Sequence, residues 1–362
     1  MTTRLYSLDV LRGLDMFLLT VIGPLVTAYD KVSPLNPATL AQFDHAWGGF
    51  TLWDIIMPLF IFMCGAAVPL ALPKRMEGGR AGWKYWRHVL SRVALLWVLG
   101  MVAQGRLLSC DVDQFCYFTN TLQAIAVGYL VAAGVWLVPN VWIRRAIPVA
   151  LAVLYAVLLH YGGDYSCAGN LAMKVDMLFV NILQPVAGHD THSYTWYLTS
   201  LMFAAMTLCG AEATAILTGA LTPRRKVLAL SGLGLALLAV GWALVPVIPM
   251  IKHIYTLTFT AQAMGWSCLA YAILYLVTDV LRQRRGLGVF ELFGQTALTA
   301  YMIAEVFPAA LFAFARQVSS GFSAQFFPSA APICEVIVYA VTLSAILHVW
   351  RAARLLKSVN SL

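Results

Sequence analysis

A histidine, two acids and two indoles lie close together in segment 43–54, directly before a long apolar run. They are Asp44, His45, Trp47, Trp53 and Asp54. An imidazole can accept and return a proton near neutral pH, and either acid could fix its tautomer. The indoles offer apolar faces to a ligand. Together these residue types suit a catalytic site with His45 as the base, and the residues alone leave open the alternative of an interfacial histidine that caps a helix.

The second acid of this segment precedes a proline. Asp54 is followed four residues later by Pro58, which has no N–H to bond the carbonyl of residue 54. The helix is therefore expected to be locally open beside the acid. This context favours an orienting role for Asp54, and the alternative is an acid favoured by the dipole at a helix start.

The composition indicates an integral membrane protein. Of the 362 residues, 61% are hydrophobic and 11% are charged, and the mean hydropathy is +0.78. A spanning helix needs about 20 mostly apolar residues, and lipid permits no open backbone groups. We predict an all-α, polytopic membrane helix bundle of about ten transmembrane helices, forming one domain over residues 1–362. The predicted spans are 8–29, 52–72, 88–108, 121–138, 145–161, 197–218, 226–248, 256–278, 289–311 and 331–350.

The distribution of basic residues predicts the orientation of the bundle. Most of the 24 Lys and Arg residues lie at the N-terminus, in the even-numbered connections and in the C-terminal tail. The opposite side carries only Lys31, Arg106, Lys174, Lys252 and Arg316. By the positive-inside rule, both termini are predicted to be cytoplasmic. The net charge of +8 then reflects topology and contact with anionic lipid, and no nucleic-acid partner is expected.

The longest predicted non-membrane stretch is the outer-side loop region 162–196. Its His189 and His192 could hold a metal, but a solvated loop is favoured and no metal site is predicted. On the same oxidising side, Cys110 and Cys116 could form a disulfide, although Cys167 leaves other pairings open.

Two further basic positions need an explanation. Lys252 lies in a short outer connection, where the positive-inside rule does not account for it. Arg12 lies between Asp9 and Asp15 on one arc of the first predicted span. Arg12 is either part of a structural clasp with these acids or a contact for an anionic ligand from the cytoplasm, and the residues leave both open.

Other polar residues could contact ligands at the two membrane faces. The inner loop after the second span combines Lys74 and Arg75 with two glycines, which suits a phosphate group. The fourth span begins with Asn120 and Gln123. Asn120 could be an N-cap, and Gln123 could bond a sugar or a neighbouring helix.

Six sequence blocks resemble one known family. Three specific blocks lie near the N-terminus: Arg4-x-x-Ser7-x-Asp9-x-x-Arg12-Gly13, His45-Ala46-Trp47-Gly48-Gly49-Phe50 and Asp54-x-x-x-Pro58-x-Phe60-x-Phe62-x-x-Gly65. Weaker blocks follow: Leu122-Gln123-x-Ile125-Ala126, Pro249-x-x-Lys252-x-x-Tyr255-Thr256 and Gly294-Gln295-Thr296-Ala297-Leu298-x-x-Tyr301. Together they are similar to the membrane acyltransferases typified by heparan-α-glucosaminide N-acetyltransferase.

The resemblance implies transfer of acetyl from cytoplasmic acetyl-CoA across the membrane to the amine of a terminal glucosamine. It aligns the family's catalytic histidine with His45 and its second-span acid with Asp54. Gly23 stands where the family member that acts on heparan has asparagine, and Ala124 stands where arginine is usual. These departures favour a bacterial inner-membrane branch that acts on glucosamine or a cell-wall glycan fragment.

These interpretations assign further residues. We expect Lys252, or alternatively a helix N-terminus, to stabilise negative charge on the thioester oxygen. Acetyl-CoA is expected to contact Arg12, Lys74, Arg75 and Arg92, and the acceptor is expected to contact Asp44, Trp47, Asn120 and Gln123. Direct transfer is preferred to an acetyl-histidine intermediate.

Three other functions stay open at the sequence level. They are an amino-sugar transporter, an O-acetyltransferase of a surface polysaccharide and a structural membrane protein. Besides acetyl-CoA, the acceptor and membrane lipid, a second copy of the chain in a homodimer is a possible partner.

Overall fold

The computed structural model describes residues 4–76, 80–109, 116–183 and 194–359, and these residues form helices with no β-strand element. The helices in chain order are α1 (Tyr6–Phe17), α2 (Gly23–Val32), α3 (Pro37–Leu40), α4 (Ile56–Ala71), α5 (Trp83–Ala103), α6 (Thr121–Val135), α7 (Val141–Gly162), α8 (Leu171–Leu183), α9 (Ser200–Thr218), α10 (Pro223–Ala243), α11 (Leu257–Leu274), α12 (Gly288–Gln295), α13 (Ala297–Val306), α14 (Pro308–Phe326) and α15 (Ala331–Val359). His189, His192 and Cys110 lie outside the described residues, as does any pairing of that cysteine.

The predicted fold class is confirmed. Eight helical segments of the described chain are long and apolar enough to cross a membrane, and a bent helix pair raises the number to nine. The eight are Tyr6–Val32, Leu52–Ala71, Trp83–Ala103, Val141–Gly162, Ser200–Thr218, Pro223–Ala243, Leu257–Val280 and Pro328–Arg354. The fourth predicted span corresponds to α6, an apolar helix of only 15 residues. The protein is therefore an all-α polytopic membrane bundle.

The ninth predicted span, 289–311, is wrong as one continuous helix. The chain breaks after α12, and α13 and α14 meet at an angle of 82°. Pro308 begins α14 and cannot donate to the preceding turn, and Phe307 adopts φ −120° and ψ 31°. The apolar pattern continued across this proline, so hydropathy alone did not reveal the bend.

The region 162–196, which we predicted to be a loop region, contains a helix in its described part, because α8 occupies Leu171–Leu183. Helix α7, the predicted span with the shortest apolar run, reaches from Val141 to Gly162 and is longer than expected.

The predicted single domain contains two compact units. The first comprises residues 1–4 and 45–273, and the second comprises residues 5–44 and 274–362. In the first unit, α4 packs closely against α9. A Cβ on Gly65 would lie 1.7 Å from the carbonyl oxygen of Thr207, and one on Gly210 would lie 1.9 Å from that of Phe62. Only glycine permits this backbone approach, which fixes α4 and the residues at its start.

In the second unit, α1 is anchored by a carboxylate at its beginning. The two carboxylate oxygens of Asp279 accept hydrogen bonds from the backbone N–H groups of Tyr6 (3.1 Å) and Ser7 (2.9 Å). Further along α1, Arg12 forms an ion pair with Asp9 at 3.7 Å. Asp15 is fully buried, and neither oxygen has a hydrogen-bond partner among the described residues. The structure thus joins Arg12 to one of its two neighbouring acids.

Candidate active site

The histidine-containing segment is held to a distant part of the first unit. Gly49 donates its N–H to the carbonyl of Met250 at 2.8 Å. Its φ of +106° lies in the region that favours glycine, so a side chain here would strain the turn. This bond brings the segment that carries His45 beside the turn that carries Lys252.

Asp54 has two structural tasks, one for each oxygen. It lies in the helical turn Leu52–Ile55, and its Oδ2 accepts the N–H of Thr51 at 2.9 Å as part of a capping box. Its other oxygen, Oδ1, lies 3.0 Å from Nδ1 of His45. The acid is only 1% exposed. Asp54 therefore begins the helix and orients the imidazole at the same time.

Lys252 completes a three-residue cluster. Its Nζ lies 2.8 Å from Nδ1 and 3.3 Å from Nε2 of His45, and 3.2 Å from Oδ1 of Asp54. The lysine and aspartate side chains are buried, whereas the histidine side chain is 38% exposed. We call His45, Asp54 and Lys252 the His45 cluster. It places a reachable imidazole over a buried ion pair.

The cluster has two possible proton arrangements, because Nδ1 of His45 can donate or accept but cannot do both. If Nδ1 donates to Asp54, Nε2 keeps a lone pair and can act as a base. If Nδ1 accepts from Lys252, Nε2 carries the proton. Burial lowers the pKa of Lys252 to about 8, although the negative charge of Asp54 opposes this shift. Both protonation states of the lysine are therefore accessible near neutral pH.

The turn that carries Lys252 is held by polar contacts. The carbonyl of His253 accepts the N–H of Thr195 at 3.1 Å, and the carbonyl of Ile254 accepts the hydroxyl of Tyr155 at 2.5 Å. Tyr255 adopts φ +44° although it is not glycine. Such conformations cost energy and persist only where the surroundings enforce them. Two buried atoms of this turn, Nδ1 of His253 and the Tyr255 hydroxyl, have no hydrogen-bond partner among the described residues.

An aromatic stack adjoins the cluster. The imidazole of His253 lies between the indole of Trp47, at 5.1 Å and 22°, and the ring of Tyr194, at 4.5 Å and 28°. The indole N–H of Trp47 donates to the carbonyl of Tyr165 at 3.2 Å. Trp47 thus lies near the site, as expected, but one of its faces is already covered by His253.

The chain that carries Tyr194 is anchored to helix α8. The carboxylate of Asp176 accepts the N–H groups of Trp196 (2.6 Å) and Tyr197 (3.0 Å). Burial raises the pKa of Asp176 to about 7, against the effect of these hydrogen bonds. No sequence pattern connected Asp176 with the site.

The other predicted acceptor contacts have different surroundings. Asp44 is exposed, and Asp54 is the acid that bonds the imidazole. Asn120 caps α6 by accepting the N–H of Leu122 at 2.7 Å. The side-chain oxygen of Gln123 accepts the N–H groups of Thr119 and Asn120. Asn120 and Gln123 are fully buried, so the structure gives them a capping role, and contact with a sugar stays a prediction.

A basic cleft lies beyond the C-terminal end of α4, at the end opposite to Asp54. It has a volume of about 370 Å³. Its lining residues are Lys74, Arg75, Lys84, Arg87, His88 and Ser91. The structure therefore brings two predicted phosphate contacts together with cations at the start of α5. The guanidinium of Arg92 lies 4.6 Å from the ring centre of Tyr129, and Arg12 belongs to the second unit.

The cluster and the cleft lie at the two ends of one span. Asp54 is at the beginning of the segment Leu52–Ala71, and Lys74 follows its end. Because an α-helix rises about 1.5 Å per residue, the 20-residue separation corresponds to about 30 Å. The described residues contain no group of three or more His, Cys, Asp or Glu side chains that could hold a metal.

The fold and the cluster define a polytopic α-helical membrane protein with a buried ion pair beneath an accessible histidine. Residues 4–127 match a family described as a domain of unknown function, DUF5009. The matched part contains His45, Asp54, Lys74 and Arg75, and Lys252 lies outside it. No curated protein matches the chain.

Proposed function

We propose that the protein is a transmembrane N-acetyltransferase. It moves acetyl from cytoplasmic acetyl-CoA to the amine of glucosamine, or of a terminal glucosaminide, on the opposite side of the membrane. The observation that carries this proposal is the 3.0 Å contact between His45 and the buried carboxylate of Asp54, which suits an oriented general base. The family resemblance of the N-terminal blocks supports the choice of donor and acceptor.

In the proposed reaction, His45 makes the acceptor nucleophilic. An amino-sugar amine is largely protonated near neutral pH, and only its uncharged form attacks a thioester. With Nδ1 donating to Asp54, Nε2 of His45 takes the proton that the amine loses. The amine nitrogen bonds to the carbonyl carbon and the carbon–sulfur bond breaks. The nitrogen loses its second proton as the amide forms, the leaving thiolate of coenzyme A takes up one proton, and the other is released to solvent. The acetyl group passes directly to the amine.

In this scheme, Lys252 acts through its contacts with His45 and Asp54. Its Nζ lies within 3.3 Å of both ring nitrogens and of Asp54. Its positive charge keeps the buried carboxylate ionised, because an isolated charge in such a place is costly. We therefore assign Lys252 to this ion pair rather than to the thioester oxygen, for which the sequence first suggested it.

The basic cleft suits the anionic end of the donor. Coenzyme A carries a pyrophosphate and a ribose phosphate, and Lys74 and Arg75 supply matching positive charge. The separation of about 30 Å between the cleft and the cluster is longer than the extended pantetheine arm of coenzyme A. The cleft therefore suits a first contact for the donor phosphates, and the donor has to move along α4 before its acetyl group reaches His45.

The purified protein in detergent, given acetyl-CoA and glucosamine, tests the proposal. We expect thiol release at the same rate as formation of N-acetylglucosamine. Three outcomes would contradict it: no transfer to any amino sugar, uptake of the sugar into liposomes without acetyl-CoA, or an alkali-labile O-acetyl product. The second outcome would support the transporter alternative, and the third would support polysaccharide O-acetylation.

Removal of the two cleft cations should weaken donor binding. In the double variant Lys74→Ala/Arg75→Ala, we expect the KM for acetyl-CoA to rise at least about 100-fold, since two hydrogen bonds to charged groups contribute about 3–6 kcal/mol together and about 1.4 kcal/mol is a factor of ten. The turnover number should change little, because the variant leaves the cluster intact. Steady-state kinetics with varied acetyl-CoA measure both.

The matched control is Arg224→Ala/Arg225→Ala, which removes the same charge from exposed positions at the start of α10. It should leave the KM unchanged. An equal rise in KM for both variants would mean that net charge, rather than the cleft, attracts the donor.

The protonation of Lys252 should limit activity at high pH. Its pKa of about 8 means that the ammonium form prevails below pH 8 and is lost above it. An uncharged amine no longer compensates Asp54 and can accept the Nδ1 proton of His45. We expect the turnover number to fall about tenfold per pH unit above pH 8. Lys252→Arg keeps a positive charge that does not titrate in this range, so its profile should lack this fall up to about pH 10. The same fall in both proteins would assign it to another group.

A further inference from the structure

The proposed reaction leaves one charge without a partner in the His45 cluster. As the amine attacks, negative charge develops on the oxygen of the acetyl group, and enzymes that transfer acyl groups place hydrogen-bond donors at that oxygen. The ammonium of Lys252 already lies between His45 and Asp54. A different donor is therefore needed, close to the cluster and held rigidly.

His253 meets these requirements by position. It follows Lys252 in the chain and is 8% exposed. Its ring is clamped between Trp47 and Tyr194, with ring centres at 5.1 Å and 4.5 Å. Its carbonyl is fixed by the N–H of Thr195. Both the ring plane and the backbone of His253 are therefore set before any ligand arrives, as a preorganised donor requires.

The protonation state of His253 also suits this role. Burial, and then the positive charges of Lys252 and His45, lower its pKa below the ordinary histidine value. The imidazole is therefore uncharged at neutral pH and carries one proton. Its Nδ1 is buried and lacks a hydrogen-bond partner among the described residues. Nε2 is not one of the buried side-chain atoms without a partner. Because a buried unpaired N–H is rarer than a buried unpaired acceptor, the proton belongs on Nε2.

We propose that His253 is a further catalytic residue, whose Nε2–H donates a hydrogen bond to the acetyl oxygen while the amine attacks. This inference rests on the proposed acetyl transfer. The proton stays on His253 throughout, and the bond shortens as charge develops on the oxygen. An uncharged imidazole can polarise a carbonyl in this way without giving up a proton. His45 then acts as the base, and His253 acts as the donor to the electrophile.

Three substitutions test which ring nitrogen acts. His253→Phe keeps an aromatic ring between Trp47 and Tyr194 but removes both nitrogens. His253→Gln places an amide N–H near the position of Nε2, whereas His253→Asn places one near Nδ1. We expect the turnover number to fall about 10²- to 10³-fold in the phenylalanine variant, the usual effect of losing one such donor. The glutamine variant should recover at least tenfold over phenylalanine, and the asparagine variant should not.

Infrared spectroscopy gives a readout that a purely structural role would not change. With acetyl-CoA labelled with ¹³C at the carbonyl and no acceptor present, the bound C=O band should lie at lower frequency in the unmodified protein than in His253→Phe. The inference is overturned if the unmodified protein transfers acetyl and His253→Phe is equally active, if asparagine restores activity as well as glutamine does, or if the band does not move. If the unmodified protein transfers no acetyl group, the proposed function itself fails.

Discussion

Replacement of His45 by alanine is expected to lower the turnover number of acetyl transfer by about 10²- to 10⁴-fold, the usual contribution of a positioned general base. The KM for acetyl-CoA should change little, because the basic cleft lies at the other end of α4. Coupled detection of thiol and N-acetylglucosamine measures both quantities. The side chain is 38% exposed, so its removal leaves no closed cavity, and the thermal stability should be nearly unchanged.

Imidazole in solution provides a sharper test of the same residue. The alanine variant has space for a ring at a site that solvent reaches, so added imidazole should restore part of the activity in a concentration-dependent way. The control is His348→Ala, which removes an exposed histidine from α15 and should have no effect. A folded His45→Ala protein with full turnover would eliminate the assignment of the base.

The contact between His45 and Asp54 could be predicted because the two residues are close in sequence. His45 and Asp54 are nine residues apart, and the apolar run after them predicts where the helix begins. A short connection before a helix start keeps such residues within reach of each other. Alternation of apolar and basic segments similarly predicted the all-α class, because lipid allows few other backbone arrangements.

The sequence indicated that Lys252 has an unusual location, but it did not predict that Lys252 contacts His45. It stood out because the positive-inside rule did not explain it, and it lies 207 residues from His45 in sequence. Only the packing of the first unit, including the bond from Gly49 to Met250, brings them together. No pattern in a single sequence predicts which of its distant segments pack together in this way.

His253 was not predicted as a site residue for a related reason. The feature that distinguishes it is the stacking of its ring on Trp47 and Tyr194, and these two residues come from segments far apart in the chain. Asn120 shows the opposite case, since its position before an apolar run indicated a helix cap as the alternative to acceptor contact, and the structure contains that cap. Local signals thus identified caps and helix starts, whereas stacking and burial needed the folded chain.

The largest combined effect on activity and stability is expected from Asp54→Asn. The amide can still accept the N–H of Thr51 through its oxygen, so the helix start is kept. Its NH₂ group would then face Nδ1 of His45 and donate to it, which forces the proton onto Nε2 and removes the base. Loss of the orienting acid lowers the turnover number by about 10⁴-fold in the serine proteases, the worked example of this effect. We expect a fall of at least 10²-fold here.

The same substitution should destabilise the protein through Lys252. Without Asp54, the buried ammonium has lost its counter-ion, and removal of one partner of a buried pair costs about 3–5 kcal/mol. The folded-state pKa of Lys252 should then fall below 8, further from its unfolded value. Because the unfolded chain binds more protons between these two values, the stability of Asp54→Asn should rise as the pH increases from 6 to 9. Thermal unfolding in detergent at both pH values measures this change.

A double variant separates the two effects of Asp54. Asp54→Asn/Lys252→Met removes both charges and keeps a side chain of similar length at position 252. It should recover most of the stability lost in Asp54→Asn, and its pH dependence should be weaker, since no buried amine remains to titrate. Activity should stay low, because the tautomer of His45 is still wrong. If the double variant were as unstable as Asp54→Asn, the loss would come from the helix start rather than from the ion pair. If it were as active as the unmodified protein, Asp54 would not orient the base.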